Sequence, residues 1–175
     1  MRATGIVRRI DELGRVVIPK EIRRTLRIRE GDPLEIYTDR DGEVILKKYS
    51  PIGEMSAFAK DYTESIFRAM GHIACIVDRD QVVAASGVSK KELSDKPISP
   101  EMETAIANRQ TVAINRAGGG KIVAVTNEED ITGYTAQVVT PIISDGEVIG
   151  SLMLLSRESG VKMCETDVKV AETTA

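Results

Sequence analysis

Pro19 is the residue that most constrains how the first fifty residues fold. It ends an apolar run, residues 16–18, and precedes a cationic segment that extends from Lys20 to Arg24. A proline cannot donate to a β-ladder, and its fixed φ suits the first turn of a helix. The sequence therefore predicts a short strand over residues 15–18 that changes into a helix at Pro19.

The helix after Pro19 is predicted to carry its cations on one face. Successive residues are about 100° apart, so i, i+3, i+4 and i+7 share a stripe. Ile22 and Leu26 point the other way and are expected to be buried. Like charges at these spacings repel by about 0.2–0.5 kcal/mol per pair, so an anionic partner is expected; the alternative is a merely solvated helix face. The stripe consists of Lys20, Arg23, Arg24 and Arg27.

Charge is distributed unevenly along the chain. Residues 1–50 hold 12 Lys+Arg and 9 Asp+Glu, a net of +3; the whole chain holds 24 and 27, so the remainder holds 12 and 18, a net of −6. Nine of the twelve N-terminal cations are arginine, whose planar fork binds phosphate or guanine by two hydrogen bonds. The sequence predicts a basic domain, residues 1–50, a linker, residues 51–55, and an acidic domain, residues 56–175.

The basic domain is predicted to contain four short strands around the helix. Besides residues 15–18, strands are expected at residues 4–10, 34–38 and 43–49, with Asp41-Gly42 as a type I′ turn. About fifty residues without a disulfide or a metal are marginal as a lone core. Dimerisation through intertwined hairpins would supply apolar surface and a two-fold symmetric basic face, which suits a DNA duplex.

The acidic domain has the pattern of an α+β fold. Its Gly118–Gly120 segment is predicted to be a turn and not a phosphate-binding loop, because no Lys-Ser/Thr follows it. The apolar face of the helix after Met55 has two open interpretations: core packing, or a helix pair between subunits. Strands are predicted at residues 73–78, 81–86, 111–116, 121–126, 134–144 and 147–156, and helices at residues 55–70, after Ser89, after Ser99 and near Thr166.

Catalytic residues are not assembled into any recognisable motif. Cys75 and Cys164 lack metal-ligand spacing and are expected to be reduced and mostly buried. The acidic segment at residues 128–130 is expected to be a solvated loop. We therefore expect a protein that is not an enzyme and has no cofactor or metal. The N-terminal sequence MRATGIVRR has no apolar signal-peptide core, so a cytoplasmic location is expected. A redox enzyme is an alternative only if Cys75 is reactive.

The N-terminal sequence resembles a known DNA-binding family. The segments TGIVRR, LGRVVIPKEIRR and GDPLEIY are similar to the AbrB-type swapped-hairpin domain of bacterial transition-state regulators, over nearly all of residues 3–49. The resemblance implies an all-β-dominated swapped-hairpin barrel with one short helix, as an intertwined dimer assembled into a tetramer. The family's DNA-contacting arginines fall on Arg8, Arg15, Arg23 and Arg24, with Arg9 and Lys20 as expected additional phosphate contacts.

The chain as a whole resembles sporulation regulators in which a GAF domain with a central antiparallel sheet follows the AbrB-type domain; VTPIISDGEVIG is one such stretch. The resemblance implies an activator and repressor of late sporulation genes, nucleoid-associated in the developing spore. The GAF-like domain would sense a small molecule or mediate tetramer assembly. In that family the last helix continues past the position of Ala175.

An antitoxin-like interaction module is the alternative function, because related hairpins occur in toxin–antitoxin pairs. There the C-terminal segment is usually a disordered tail. Here about 120 patterned residues suffice for a folded domain.

Overall fold

The chain forms two compact units, which are described separately. A computed structural model describes residues 4–175; residues 1–3, which belong to the predicted basic domain, lie outside it. The first unit ends at Tyr49, and the second is Ser50–Ala175. Residues of the predicted linker form a short helix, α2 (Pro51–Glu54), and its Ile52 is buried in the core of the second unit. The segment after Ser50 is therefore a structural part of the second unit.

The first unit contains one helix and one hairpin among its described residues. They are α1 (Lys20–Thr25), β1 (Leu34–Thr38) and β2 (Val44–Lys48), with the strands antiparallel. The predicted type I′ turn at Asp41-Gly42 is wrong, because only Gly42 has a positive φ, at 81°. The carboxylate of Asp39 accepts hydrogen bonds from the N–H groups of Asp41 and Glu43 at 3.0 and 2.9 Å. This side-chain cap stabilises a longer loop over residues 39–43.

The strands predicted at residues 4–10 and 15–18 do not form within the single chain. Both segments lie outside any ladder, and Val7 and Val17 are 84% and 69% exposed. A strand needs a second strand to pair with, and within residues 4–49 neither segment has one. The turn between them does form: Asp11 N–H donates to the Arg15 carbonyl oxygen, and Gly14 N–H to that of Asp11, both at 3.0 Å.

A five-stranded antiparallel sheet forms the centre of the second unit, which confirms the predicted α+β class. The strand order is β4-β3-β7-β6-β5. The prediction of a strand at residues 121–126 is wrong: this segment is irregular, and only Thr126 forms an isolated bridge, with Ile98. The strands are β3 (Ile73–Asp78), β4 (Val82–Ser86), β5 (Val112–Asn115), β6 (Ala136–Ser144) and β7 (Glu147–Ser156).

Helices and loops cover both faces of this sheet. Alternate residues of β3 divide between two apolar clusters, Ala74 and Ile76 in one and Cys75 and Val77 in the other, as expected for a strand buried on both sides. The first cluster packs against α2, α3 (Ser56–Met70) and α6 (Glu165–Thr174). The second packs against α4 (Lys90–Leu93), α5 (Pro100–Ala107) and the loop over residues 116–135.

Local signals placed the helix ends correctly. Ser89 forms the predicted capping box with Glu92 at the start of α4, and Ser99 Oγ accepts from Met102 N–H at 3.0 Å at the start of α5. Helix α3 ends at Gly71, whose φ is 73°. No helix within residues 4–175 is long and apolar enough to cross a membrane.

Helix α3 buries only part of its apolar face. Ala59 and Ile66 pack into the core, while Phe58 is 59% exposed and stacks on Tyr62 with ring centroids 5.5 Å apart. Core packing is therefore confirmed for the buried positions. A helix pair between subunits remains a prediction for the exposed ones.

Candidate nucleic-acid interface

The predicted DNA-binding residues lie in three short segments of the first unit. Arg8 and Arg9 precede the turn at residues 11–14, Arg15 follows it, and the remaining cations lie on α1. Glycine at position 14 fits this turn, because its φ is 77° and only glycine adopts that region without strain. The three segments thus place all six cations within seventeen consecutive residues, from Arg8 to Arg24.

Helix α1 is short, and Pro19 lies just before its first residue. Pro19 has φ −57° and ψ 148° and acts as the N-cap, and its carbonyl oxygen accepts from Arg23 N–H at 3.0 Å. At the other end, Ile28 N–H donates to the Arg23 carbonyl oxygen at 2.7 Å, and Arg27 takes a φ of 53°. This left-handed residue closes the helix at Thr25.

The early end of α1 corrects two predictions. Arg27 lies beyond the helix, so the cationic stripe consists only of Lys20, Arg23 and Arg24. Leu26 is 57% exposed and Ile22 only half-buried, so the expected buried face of the helix is incomplete within the chain. The 3.6-residue periodicity predicts that Leu26 and Arg27 are helical, but both lie beyond the end of α1.

The three cations on α1 differ in exposure. Lys20 and Arg24 are exposed, whereas Arg23 is half-buried and its Nε is shielded from solvent without a hydrogen-bond partner in the described part of the chain. Because i, i+3 and i+4 share a helix face, the three side chains leave from the same side of α1. Such a face attracts an anion such as phosphate.

Arg15 is held by a single carboxylate. Asp11 Oδ2 accepts from Arg15 Nε at 2.8 Å, while Asp11 Oδ1 accepts from the backbone N–H groups of Leu13 and Arg15 at 3.0 and 2.8 Å. The pKa of Asp11 is lowered, first by the backbone hydrogen bond from Arg15 and next by the bond from its side chain. Sequence analysis did not identify Asp11 as part of the site; its position four residues before Arg15, at a Gly-containing turn, was the only signal.

The other predicted cations form no ion pair within residues 4–175. Arg8 makes a local contact in which Nη1 donates to the Val7 carbonyl oxygen at 3.1 Å. Arg9 is exposed. Their charges are thus not neutralised by an acidic side chain, and an anionic partner is free to approach them.

The second unit contains a polar network that sequence analysis missed. Glu129, assigned to a solvated loop, accepts from Tyr134 Oη and from Val125 N–H, both at 2.7 Å. Arg157 donates to Tyr134 Oη at 3.1 Å and to Glu92 Oε2 at 2.6 Å, and its guanidinium lies 4.8 Å from the centre of the Tyr134 ring. Burial, followed by the hydrogen bond to Glu129, raises the pKa of Tyr134. The network ties the 116–135 loop and α4 to the end of β7.

The two cysteines have opposite environments, so the expectation that both are buried is wrong for one of them. Cys75 is fully buried in β3, and Cys164 is exposed as the N-cap of α6. Burial, with a smaller contribution from the charge of Glu129, raises the pKa of the Cys75 thiol. A buried, protonated thiol is a poor nucleophile, which argues against a redox role for Cys75. Residues 4–175 hold no group of three potential metal ligands.

Comparison with known proteins assigns a family to both units. A family model described as "Stage V sporulation protein T C-terminal, transcription factor" matches residues 54–175. A second model, described as "Antidote-toxin recognition MazE, bacterial antitoxin", matches residues 7–54. Stage V sporulation protein T of Bacillus subtilis (strain 168) is 52% identical over 177 residues, which cover 100% of this chain and 95% of that protein.

Separate relatives match each unit. Transition state regulatory protein AbrB of the same organism is 69% identical over 51 residues, 29% of this chain and 52% of AbrB. The GAF domain from an Acinetobacter phosphoenolpyruvate-protein phosphotransferase shares the fold of the second unit, with a TM-score of 0.57 and 13% identity over 73% of this chain and 79% of that one.

These matches define a transcription factor with an AbrB-like N-terminal domain and a GAF-like C-terminal domain. The chain belongs to the stage V sporulation protein T family.

Proposed function

We propose that this chain binds duplex DNA through its N-terminal unit and acts there as both an activator and a repressor of late sporulation genes. The observation that carries the proposal is the set of six cations between residues 8 and 24, of which only Arg15 has an acidic partner within the described chain. Arginine forks grip phosphate oxygens and guanine edges by paired hydrogen bonds. The proposed contacts are Arg8, Arg9, Arg15, Lys20, Arg23 and Arg24.

The DNA-binding form is a domain-swapped dimer under this proposal. The first unit exposes Val7, Ile10 and Val17 on segments that have no pairing strand of their own. Pairing with the same segments of a second copy would bury these side chains and complete the ladders. The identity to AbrB over this unit supports the same assembly. Two copies would present two basic faces related by two-fold symmetry, which matches the symmetry of duplex DNA.

The C-terminal unit has two proposed roles, assembly of dimers into a tetramer and sensing of a small molecule. Assembly is supported by the exposed Phe58 and Met55 at the start of α3, since apolar side chains at a helix surface often pair with a second helix. Sensing is supported by the GAF fold alone. The protein would act in the cytoplasm of the developing spore, associated with the nucleoid.

An antitoxin-like module is the second candidate, and the match of residues 7–54 to the MazE model favours it. The second unit argues for the regulator, because residues 50–175 form a packed α+β domain and not a tail that folds on a partner.

DNA binding is tested by fluorescence-anisotropy titration of the full chain with a random-sequence duplex across a salt series. Arg23→Ala/Arg24→Ala is compared with Lys90→Ala/Lys91→Ala, which removes the same charge from the exposed side of α4. The wild type and the control should bind with equal salt slopes, and the arginine variant should lose about 0.9 in slope for each phosphate contact removed. If the wild type binds no duplex even at low salt, the DNA-binding proposal is wrong.

A further inference from the structure

We propose that Asp11 is a specificity-determining residue that positions Arg15 to read a guanine edge and disfavours a contact between Arg15 and phosphate. The inference rests on the proposed DNA binding, and it names the class of group that one of the six cations contacts. It follows from the way in which the turn at residues 11–14 holds both side chains.

The orientation of the Asp11 carboxylate is fixed by backbone hydrogen bonds, independently of its contact with the Arg15 side chain. Its Oδ1 accepts from two backbone N–H groups, those of Leu13 and Arg15, and the same turn is closed by Asp11 N–H donating to the Arg15 carbonyl oxygen at 3.0 Å. The two hydrogen bonds to Oδ1 therefore set the rotamer of Asp11, and the backbone bond holds the turn in which it lies. Its second oxygen, Oδ2, is left pointing at the guanidinium of Arg15.

Asp11 occupies one edge of that guanidinium and leaves another open. The Nε–H of Arg15 donates to Asp11 Oδ2 at 2.8 Å, while the Arg15 side chain as a whole is 71% exposed. The terminal edge, with the parallel N–H bonds of Nη1 and Nη2, has no acceptor within residues 4–175. Two parallel donors match the O6 and N7 acceptors of guanine in the major groove. Holding the Nε edge orients this terminal fork and removes much of its rotational freedom.

Charge adds a second reason for base readout. The hydrogen bonds from Arg15 lower the pKa of Asp11, so this carboxylate is ionised throughout the neutral range. A carboxylate beside Arg15 repels an approaching phosphate and cancels most of the arginine charge. Guanine O6 and N7 are neutral acceptors and meet less repulsion. The pair thus weakens a sequence-independent contact more than a base contact.

Arg15 differs in this respect from the other proposed contacts. Arg9, Lys20 and Arg24 are exposed and have no carboxylate partner in the described residues. They are suited to phosphate, which a point charge or an unrestrained fork binds without fixed orientation. The N-terminal unit would then combine phosphate contacts from α1 with one oriented base contact from the turn.

The test compares the full-length wild type with Asp11→Asn and with Glu12→Gln. Asparagine keeps the Oδ1 acceptor for the two backbone N–H groups but replaces Oδ2 beside Arg15 by an NH2 group, which cannot accept from Arg15 Nε. Glu12 is exposed and makes no side-chain hydrogen bond or ion pair in the part of the chain that the structure describes, so its variant removes the same charge without touching Arg15. Affinities are measured for a duplex selected by the wild type from a random pool, for the unselected pool, and for the selected duplex with 7-deazaguanine in place of guanine.

Glu12→Gln should strengthen binding to both natural duplexes by the same factor and leave their ratio unchanged. Asp11→Asn should also strengthen binding to the unselected pool but lower the selected-to-unselected ratio about tenfold, within the range that one bidentate base contact supplies. Removing N7 with 7-deazaguanine should weaken the wild type and Glu12→Gln, with little further effect on Asp11→Asn.

Equal ratios and equal sensitivity to 7-deazaguanine for Asp11→Asn and Glu12→Gln would overturn the inference, since Asp11 would then act only as a charge. If circular dichroism shows that Asp11→Asn disturbs folding, Arg15→Lys replaces it: this variant keeps the charge and loses the fork, and it should lower the ratio equally. An unchanged ratio in Arg15→Lys also overturns the inference. Absence of any DNA binding by the wild type would instead remove the proposed function itself.

Discussion

The side chain of Gln137 forms hydrogen bonds with both the backbone N–H and the carbonyl oxygen of Val123. Val123 N–H donates to Gln137 Oε1 at 2.9 Å, and Gln137 Nε2 donates to the Val123 carbonyl oxygen at 3.0 Å. Gln137 lies within β6 and is fully buried. The Gln137 side chain thus makes the hydrogen bonds to the irregular segment at residues 121–125 that a neighbouring strand would make in a sheet. On either side of Val123, Ile122 and Val125 pack into the core.

Replacing Gln137 by leucine should destabilise the second unit by about 2–4 kcal/mol. Leucine has a similar volume, but it leaves the N–H and the carbonyl oxygen of Val123 without partners, and each unmade buried hydrogen bond costs about 1–3 kcal/mol. Urea unfolding followed by circular dichroism measures the change. Gln110→Leu, at an exposed position, is the control and should change stability by less than about 0.5 kcal/mol. Equal stability of the two variants would mean that the Gln137 clamp contributes nothing.

Thiol labelling should distinguish the two cysteines. In the native protein an aromatic disulfide reagent should modify Cys164, which is exposed, and leave Cys75 unmodified, because Cys75 is buried and its thiol pKa is raised. Cys164→Ser should therefore show almost no native reaction and one thiol in denaturant. Rapid native labelling of Cys75 in that variant would contradict the structure and revive the redox alternative.

Gly150→Ala should disrupt the close packing of β3 and of Ile52 in α2 against β7. A Cβ at this position would overlap the carbonyl oxygen of Val77 and lie 2.6 Å from Cδ1 of Ile52. The backbone of β3 cannot yield easily, so we expect a loss of at least about 2 kcal/mol, in the range of overpacked cores. Gly133→Ala is the matched control, since no atom lies within 4 Å of its added Cβ.

Thermal unfolding of the two glycine variants in parallel measures this difference. A melting temperature for Gly150→Ala equal to that of Gly133→Ala would show that β3 and Ile52 do not approach Gly150 this closely in solution.

The Glu92–Arg157 pair should make a small, pH-dependent contribution to stability. The hydrogen bond from Arg157 is the main cause that lowers the pKa of Glu92 below its ordinary 4.5 in the folded protein. A lowered folded pKa gives stability that is present above the unfolded pKa and is lost as the pH falls through the folded one. Both side chains are 41% exposed, so the contribution is expected to be about 0.5 kcal/mol.

Melting curves of wild type and Glu92→Gln from pH 7 to pH 3 test this prediction. The wild type should be slightly more stable at pH 7, and the difference should shrink as the pH falls below 4.5, the ordinary pKa of a glutamate. Glu147→Gln, at an exposed position in β7 without an ion pair in the described chain, should not differ from wild type over this range. If the difference in stability between wild type and Glu92→Gln instead grew as the pH fell, the predicted pH dependence of the ion pair would be wrong.

The two Asp-Gly dipeptides show how far local sequence determines a turn. Asp145-Gly146 joins β6 to β7 with φ of 51° and 80°, and Ser144 pairs directly with Glu147, so this dipeptide forms a two-residue type I′ turn. Asp41-Gly42 has the same dipeptide but forms a longer loop, because Asp39 caps two N–H groups. An Asp-Gly dipeptide allows positive φ at both residues. Whether both adopt it depends on nearby hydrogen-bond acceptors such as the Asp39 carboxylate.

The cations of the candidate site were predictable from sequence, but the role of Asp11 was not. Pattern and resemblance indicated Arg8, Arg15 and Arg23 without reference to coordinates. The contact between Asp11 Oδ2 and Arg15 Nε forms because the turn brings residue i+4 close to residue i. In an extended strand, at about 3.3 Å per residue, the same two residues would be more than 12 Å apart. Sequence spacing alone does not distinguish these cases.

The sequence by itself determined what depends on near neighbours: the helix starts at Ser89 and Ser99, the end of α3 at Gly71, the strand β3 and the hairpin of β6 and β7. Each rests on caps, turn residues or side-chain periodicity within a few positions. Only the tertiary structure decided that Gln137 replaces a strand partner for Val123 and that Cys75 is buried while Cys164 is exposed. Such relations join residues far apart in the chain, and their free energy depends on packing and on the exclusion of water, which no local pattern encodes.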